Sequence, residues 1–128
     1  GKYDTNTNLL KSRGVVCKVY DPYNRSLEHN TDVLVYFTNG ADVIVCANVL
    51  NVIKEDTVIT NVLKHIDQLL KSNGTAYIQI YEGDKTGEGK KTSKGFQRNQ
   101  KTICYLPLIT SVFSNVTRKG NIFTIKKE

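Results

Sequence analysis

A chain of 128 residues, 39% hydrophobic and 23% charged, has the size and composition of one globular domain, 1–128, with a real core. No run approaches the roughly 20 apolar residues of a membrane helix, so no membrane partner is expected. The net charge of +6 favours anionic partners.

In chain order, "TNTNLLKSRG" reads as a short helix that Thr5 or Asn6 can cap and Gly14 can end. "VVCKVY", residues 15–20, is rich in β-branched residues and predicts a strand that stops at the turn cluster "DPYN". A second helix is predicted from near Ser26, with Leu27, Val33, Leu34 and Phe37 available for one face. The continuous apolar run Val43 to Ala47 predicts a strand buried on both faces, as in a parallel sheet. The clearest helix spans about Glu55 to Ser72, where Ile59, Val62, Leu63, Ile66, Leu69 and Leu70 form an apolar stripe and Asn73-Gly74 closes the element. "TAYIQIY", residues 75–81, is another strand. The segment 82–100 has four glycines and no periodicity, so it reads as a long loop. "YLPLITSVF" predicts a short helix begun at Pro107, and "NVTRK", Gly120, "NIFTIKK" a terminal antiparallel hairpin.

The cysteines Cys17, Cys46 and Cys104 are odd in number and widely spaced, which argues against a disulfide framework and a zinc site. Cys17 and Cys46 lie in apolar strand-like runs and are expected as buried thiols, which suggests a reducing compartment, most simply the cytoplasm. The opening "GKYDTNTNLL" lacks the layout of a signal peptide. With no Met in the chain, Gly1 is not expected to be the native translation start. His29 lacks metal-ligand spacing and His65 lies off the apolar stripe, so no metal is expected.

Strands alternating with helices imply crossovers and a parallel sheet, whose ligands bind outside the carboxyl ends of the strands. "YDPYN", "CANVLN" and "IYEGD" arrive at that edge. Asp21 can accept ribose hydroxyls there, or can simply form an Asp-Pro turn. Asn48 and Asn51 can face a ligand or tie up loop backbone. From Glu82 to Lys101 there are six basic residues (Lys85, Lys90, Lys91, Lys94, Arg98 and Lys101) and three acids, so half of the net positive charge lies in that segment.

The stretch "ADVIVCANVLNVI…VLKHIDQLLKSNGTAYIQIYE" resembles the middle of a class I S-adenosylmethionine-dependent methyltransferase. The "VYDPYN" segment stands where that family's second strand ends in a ribose-binding acid, and the terminal helix and hairpin where it places its last antiparallel strands. The resemblance implies a three-layer α/β, Rossmann-like, mostly parallel sheet with a C-terminal antiparallel hairpin. About twenty residues separate Asp21 from Ala41, too few for the family's third strand and its helix. The first strand and glycine-rich loop are also missing, and Gly1 would be the last glycine of that loop. The resemblance implies S-adenosylmethionine as cofactor, with Asp21 on the ribose, Pro22 and Tyr23 against the adenine, and Asn48, Val49 and Leu50 at the methionine end. It leaves the catalytic residues and the methyl acceptor unassigned. Asn51, Tyr81, Lys90, Lys91 and Arg98 are candidate acceptor contacts, and nucleic acid is one candidate acceptor. "ANVLN" does not match the proline-rich motif of amino-directed nucleic-acid enzymes, and Cys46 lacks the preceding proline of a cytosine-C5 nucleophile. "GDKTGEGKKT" departs from a P-loop, since Glu88 replaces its second glycine and Lys91 its Ser/Thr. Two alternatives are a non-catalytic methyltransferase-like module that binds nucleic acid through the basic loop, and a domain for a different nucleotide cofactor.

Overall fold

The computed structural model describes residues 4–128, so the expected role of Gly1 lies outside the described residues. The chain forms two compact units, Gly1–Asn39 and Gly40–Glu128.

The first unit holds helices α1 (Thr5–Ser12) and α2 (Leu27–Tyr36). Gly14 closes α1 at φ +80, and the Val15 N–H reaches back to the Leu10 carbonyl at 2.9 Å. Such a left-handed end is open to glycine at no steric cost. Ser26 caps α2, its hydroxyl accepting from the His29 N–H at 3.1 Å. The strand predicted over 15–20 does not form. Strand propensity becomes a strand only through a ladder with a neighbour, and among the described residues no strand falls in this unit. His29 Nε2 instead lies 2.7 Å from the Val19 carbonyl.

The second unit contains β1 (Ala41–Ala47), α3 (Asp56–Leu69), β2 (Leu70–Gln79), the hairpin β3 (Lys90–Thr92) and β4 (Gly95–Gln97), α4 (Leu106–Thr110), β5 (Val116–Lys119) and β6 (Ile122–Lys126). The main sheet has the order β1-β2-β6-β5. Only β1 and β2 are parallel; β2–β6 and β6–β5 are antiparallel. The expected mostly parallel, Rossmann-like sheet is therefore corrected to a mixed α/β sheet. Its physical reason is that the strand predicted over 15–20 does not form, so the α3 crossover gives one parallel pair, beside the antiparallel β5–β6 hairpin that turns at Gly120, φ +61.

The core is one face of this sheet against α3 and α4. Leu50, Ile59, Leu63, Ala76, Ile78, Ile80, Ile109, Phe123 and Ile125 are wholly buried in it. Their burial is the main favourable contribution to folding, about 1.5–3 kcal/mol for each large side chain. The other face is open, with Val45 68% exposed and Val43, Tyr77 and Ile122 also exposed. The expectation that β1 is buried on both faces thus fails for its alternate residues.

Helix α3 ends at Leu69 rather than Ser72. Leu70 turns to extended backbone and begins β2, and the β1–β2 register shifts between Leu70 and Thr75, a stretch that holds Asn73 at φ +65. Lys127 reaches back from the end of the chain. Its ammonium donates to the carbonyls of Asp67 and Leu70, at 2.5 and 2.8 Å. A cation there suits the negative end of α3.

Candidate functional site at the carboxyl edge of the parallel pair

β1 and β2 end side by side, Ala47 opposite Gln79. Asn48 follows in the left-handed conformation, φ +60, with its N–H on the Gln79 carbonyl at 2.9 Å. Asparagine tolerates this geometry better than most residues. The turn leaves Asn48 and Val49 exposed at the edge and drives Leu50 inward. Leu50 is 0% exposed and packs in the core, so its expected place at a methionine end is corrected.

Asn51 is 2% exposed and joins three segments. Its Oδ1 accepts from the Tyr81 N–H at 3.3 Å, its Nδ2 donates to Gln97 Oε1 at 3.1 Å, and its carbonyl accepts from the Arg98 N–H at 2.9 Å. These bonds occupy both ends of the side-chain amide. Asn51 therefore shapes the edge from beneath and is not an acceptor contact as expected. Tyr81, by contrast, is 58% exposed.

Arg98, expected as an acceptor contact, serves as a latch. Its Nη1 donates to the carbonyls of Ile53 and Lys54, both at 3.0 Å. Its Nε donates to Gln100 Oε1 at 2.9 Å, and its Nη2 meets Asp56 Oδ1 at 2.7 Å. The guanidinium thus pins the 82–101 segment to the start of α3. It also lies 5.6 Å from the ring centroid of Tyr105, whose buried hydroxyl has no hydrogen-bond partner among the described residues. Burial holds the Tyr105 pKa above its ordinary value, partly offset by the Arg98 charge.

The segment expected as an aperiodic loop is closed and internally bonded. Glu82 Oε2 accepts from the Thr102 N–H at 2.7 Å and from its hydroxyl at 3.0 Å, which joins the two ends. These two hydrogen bonds lower the Glu82 pKa. Asn99, buried at φ +58, donates to the Glu88 carbonyl at 3.0 Å and accepts from the Asp84 N–H at 3.4 Å. Asp84 accepts from Thr86, which lowers its pKa. At the tip, Lys90 and Lys91 of β3 are exposed, opposite Gln97 and Phe96 of β4. No sequence signal singled out Glu82, Asn99 or Thr102, because their partners are far along the chain.

The first unit places Asp21 within its own turn. Oδ1 accepts from the N–H groups of Tyr23 and Asn24, at 3.0 and 3.1 Å, and Oδ2 from Asn24 Nδ2 at 2.9 Å. The buried Asn30 holds the Asp21 backbone, bonding its N–H and carbonyl at 2.9 Å each. Burial raises the Asp21 pKa, but the hydrogen bonds outweigh it and hold the carboxyl well below the usual carboxylate range. Pro22 and Tyr23 are exposed. A cavity of about 500 Å³ in this unit is lined by residues including Cys17, His29, Asp32 and Tyr36, but not by Asp21, Pro22 or Tyr23.

Cys46 is buried, as expected, and burial pushes its pKa to about 11. Cys17 is only half-buried, and Cys104 is exposed. Among the described residues no cluster of His, Cys, Asp and Glu could hold a metal ion, and no helix is long and apolar enough to cross a membrane. No family model matches the chain, and neither the curated proteins nor the solved structures contain a match.

Proposed function

We propose that this chain takes part in methyl transfer from S-adenosylmethionine to an acceptor. The reading rests on the resemblance of residues 41–82. The observation that carries it is the β1 edge, where Asn48 and Val49 stand exposed beyond the end of a parallel strand. Open α/β sheets bind ligands at such an edge. The residues fit the cofactor in part. Asn48 and Val49 could border it, with the Asn48 amide able both to donate and to accept. Leu50 does not fit, and the Asp21 oxygens already accept bonds from their own turn. The bound cofactor would supply an activated methyl group, so the protein's task would be to orient the acceptor.

The engagement of Asp21, the expected ribose acid, favours a second reading, a non-catalytic methyltransferase-like module that keeps the sheet without productive cofactor binding. Calorimetry with S-adenosylmethionine and S-adenosylhomocysteine tests both. The first reading expects saturable heat, and Val49→Asp should weaken binding about tenfold, ~1.4 kcal/mol, in a protein of unchanged melting temperature. No saturable heat for either ligand rejects a cofactor site. Binding that Asp21→Ala leaves unchanged would remove Asp21 from the site.

A further inference from the structure

The β3–β4 hairpin and Tyr81 share one foundation. The Tyr81 N–H and the Gln97 side chain both bond to the Asn51 amide, so an exposed aromatic ring stands at the root of the basic hairpin. Two of the three acids of the segment are bonded, and the third, Glu88, is exposed. Glu82 faces Thr102, and Asp84 bonds Thr86 and lies 3.6 Å from the Lys90 ammonium. Lys91, Lys94 and Lys101 form no ion pair among the described residues, although the Lys101 charge acts on Glu82. The sequence shows a mixed-charge segment; in the fold the unpaired charges are Lys91, Lys94 and Lys101 against Glu88, which leaves a net cationic surface.

We propose that this surface receives single-stranded nucleic acid, with phosphates on Lys91, Lys94 and Lys101 and an unstacked base on the Tyr81 ring. Lys91 lies on β3, Lys94 in the turn before β4 and Lys101 beyond β4, so the cations come from separate stretches of the segment. A spread of cations suits a polyanion. The exposed ring sets the preference for a single strand, because a base stacked within a duplex offers no face to it. In the methyl-transfer reading this strand is the acceptor, a role that rests on that reading. The binding itself does not.

The test is fluorescence anisotropy with a labelled single-stranded oligonucleotide of about 20 nucleotides, without cofactor, in low and physiological salt, against the matching duplex. Binding should fall with salt, and Lys91→Gln with Lys94→Gln should flatten the log–log slope by about 1.4 units, two single-strand contacts of roughly 0.7 each. Tyr81→Ala should weaken single-strand binding about tenfold, while the melting temperature stays unchanged. Absence of binding at low salt overturns the proposal. So does equal affinity for duplex and single strand with no effect of Tyr81→Ala. The titration needs no cofactor, so its outcome is separate from the calorimetric one.

Discussion

Asn51 and Gln97 meet amide to amide at 3.1 Å across 46 positions of sequence. This bond, with the Tyr81 N–H on the other end of the same amide, fixes where the hairpin stands relative to the sheet. Asn51→Ala should destabilise the protein by about 1–3 kcal/mol, because it leaves partly buried groups unpaired. Denaturant unfolding measures this, and a change below the resolution of that method would mean that water replaces the amide.

Arg98 should not tolerate lysine. A single ammonium cannot reproduce a planar fork that meets Ile53, Lys54, Gln100 and Asp56 together. Arg98→Lys should lower stability by about 1–3 kcal/mol. It should also speed amide exchange in residues 82–101. Equal exchange in both proteins would show that the hairpin stands without its latch.

The Glu82–Thr102 closure should depend on pH. The folded-state carboxyl lies below its ordinary value, so its contribution is present above the unfolded carboxylate range, about pH 4–5. It is lost as the pH falls through the lowered folded value. Wild type should therefore lose more stability on acidification from pH 6 to about pH 3 than Glu82→Gln does. Parallel pH profiles of the two melting temperatures would remove Glu82 from the closure.

The three thiols should separate by rate. At pH near 8, Cys104 should react fastest with a thiol reagent and Cys46 slowest, since it is buried and its pKa stands at about 11. Cys17 should lie between them. Mass spectrometry of time-quenched samples gives the order, and fast labelling of Cys46 in the native protein would mean that β1 opens readily.

Local signals were the legible part of the sequence. The α1 terminus at Gly14, the start of α2 near Ser26, the stripe of α3 and the Gly120 turn each depend on a few neighbouring residues and are found as expected. What could not be read depends on partners. Val15 to Tyr20 have strand residues but no ladder, and only a neighbour could have supplied one. Leu70 belongs equally to an apolar helical stripe and to a strand, and Lys127, 57 positions away, bonds the carbonyl there. At the candidate site, Asn48, Val49 and Tyr81 stay exposed, whereas Asn51 and Arg98 turn out to be braces. A polar side chain near a ligand edge looks the same in sequence whether it faces solvent or holds the loop from below.

The position of β6 in the sheet bears on how the chain is made. Val43 pairs with Thr75 across one helix, so β1, α3 and β2 can assemble as soon as that stretch is synthesised. β6 comes last in sequence yet lies between β2 and β5, and it carries the wholly buried Phe123 and Ile125. Until residues 122–126 are delivered, β2 has an unpaired edge and the core lacks those two side chains. A chain cut after Lys119 would hold that unfinished seam permanently, exposing a strand edge of the kind that neighbouring chains pair with.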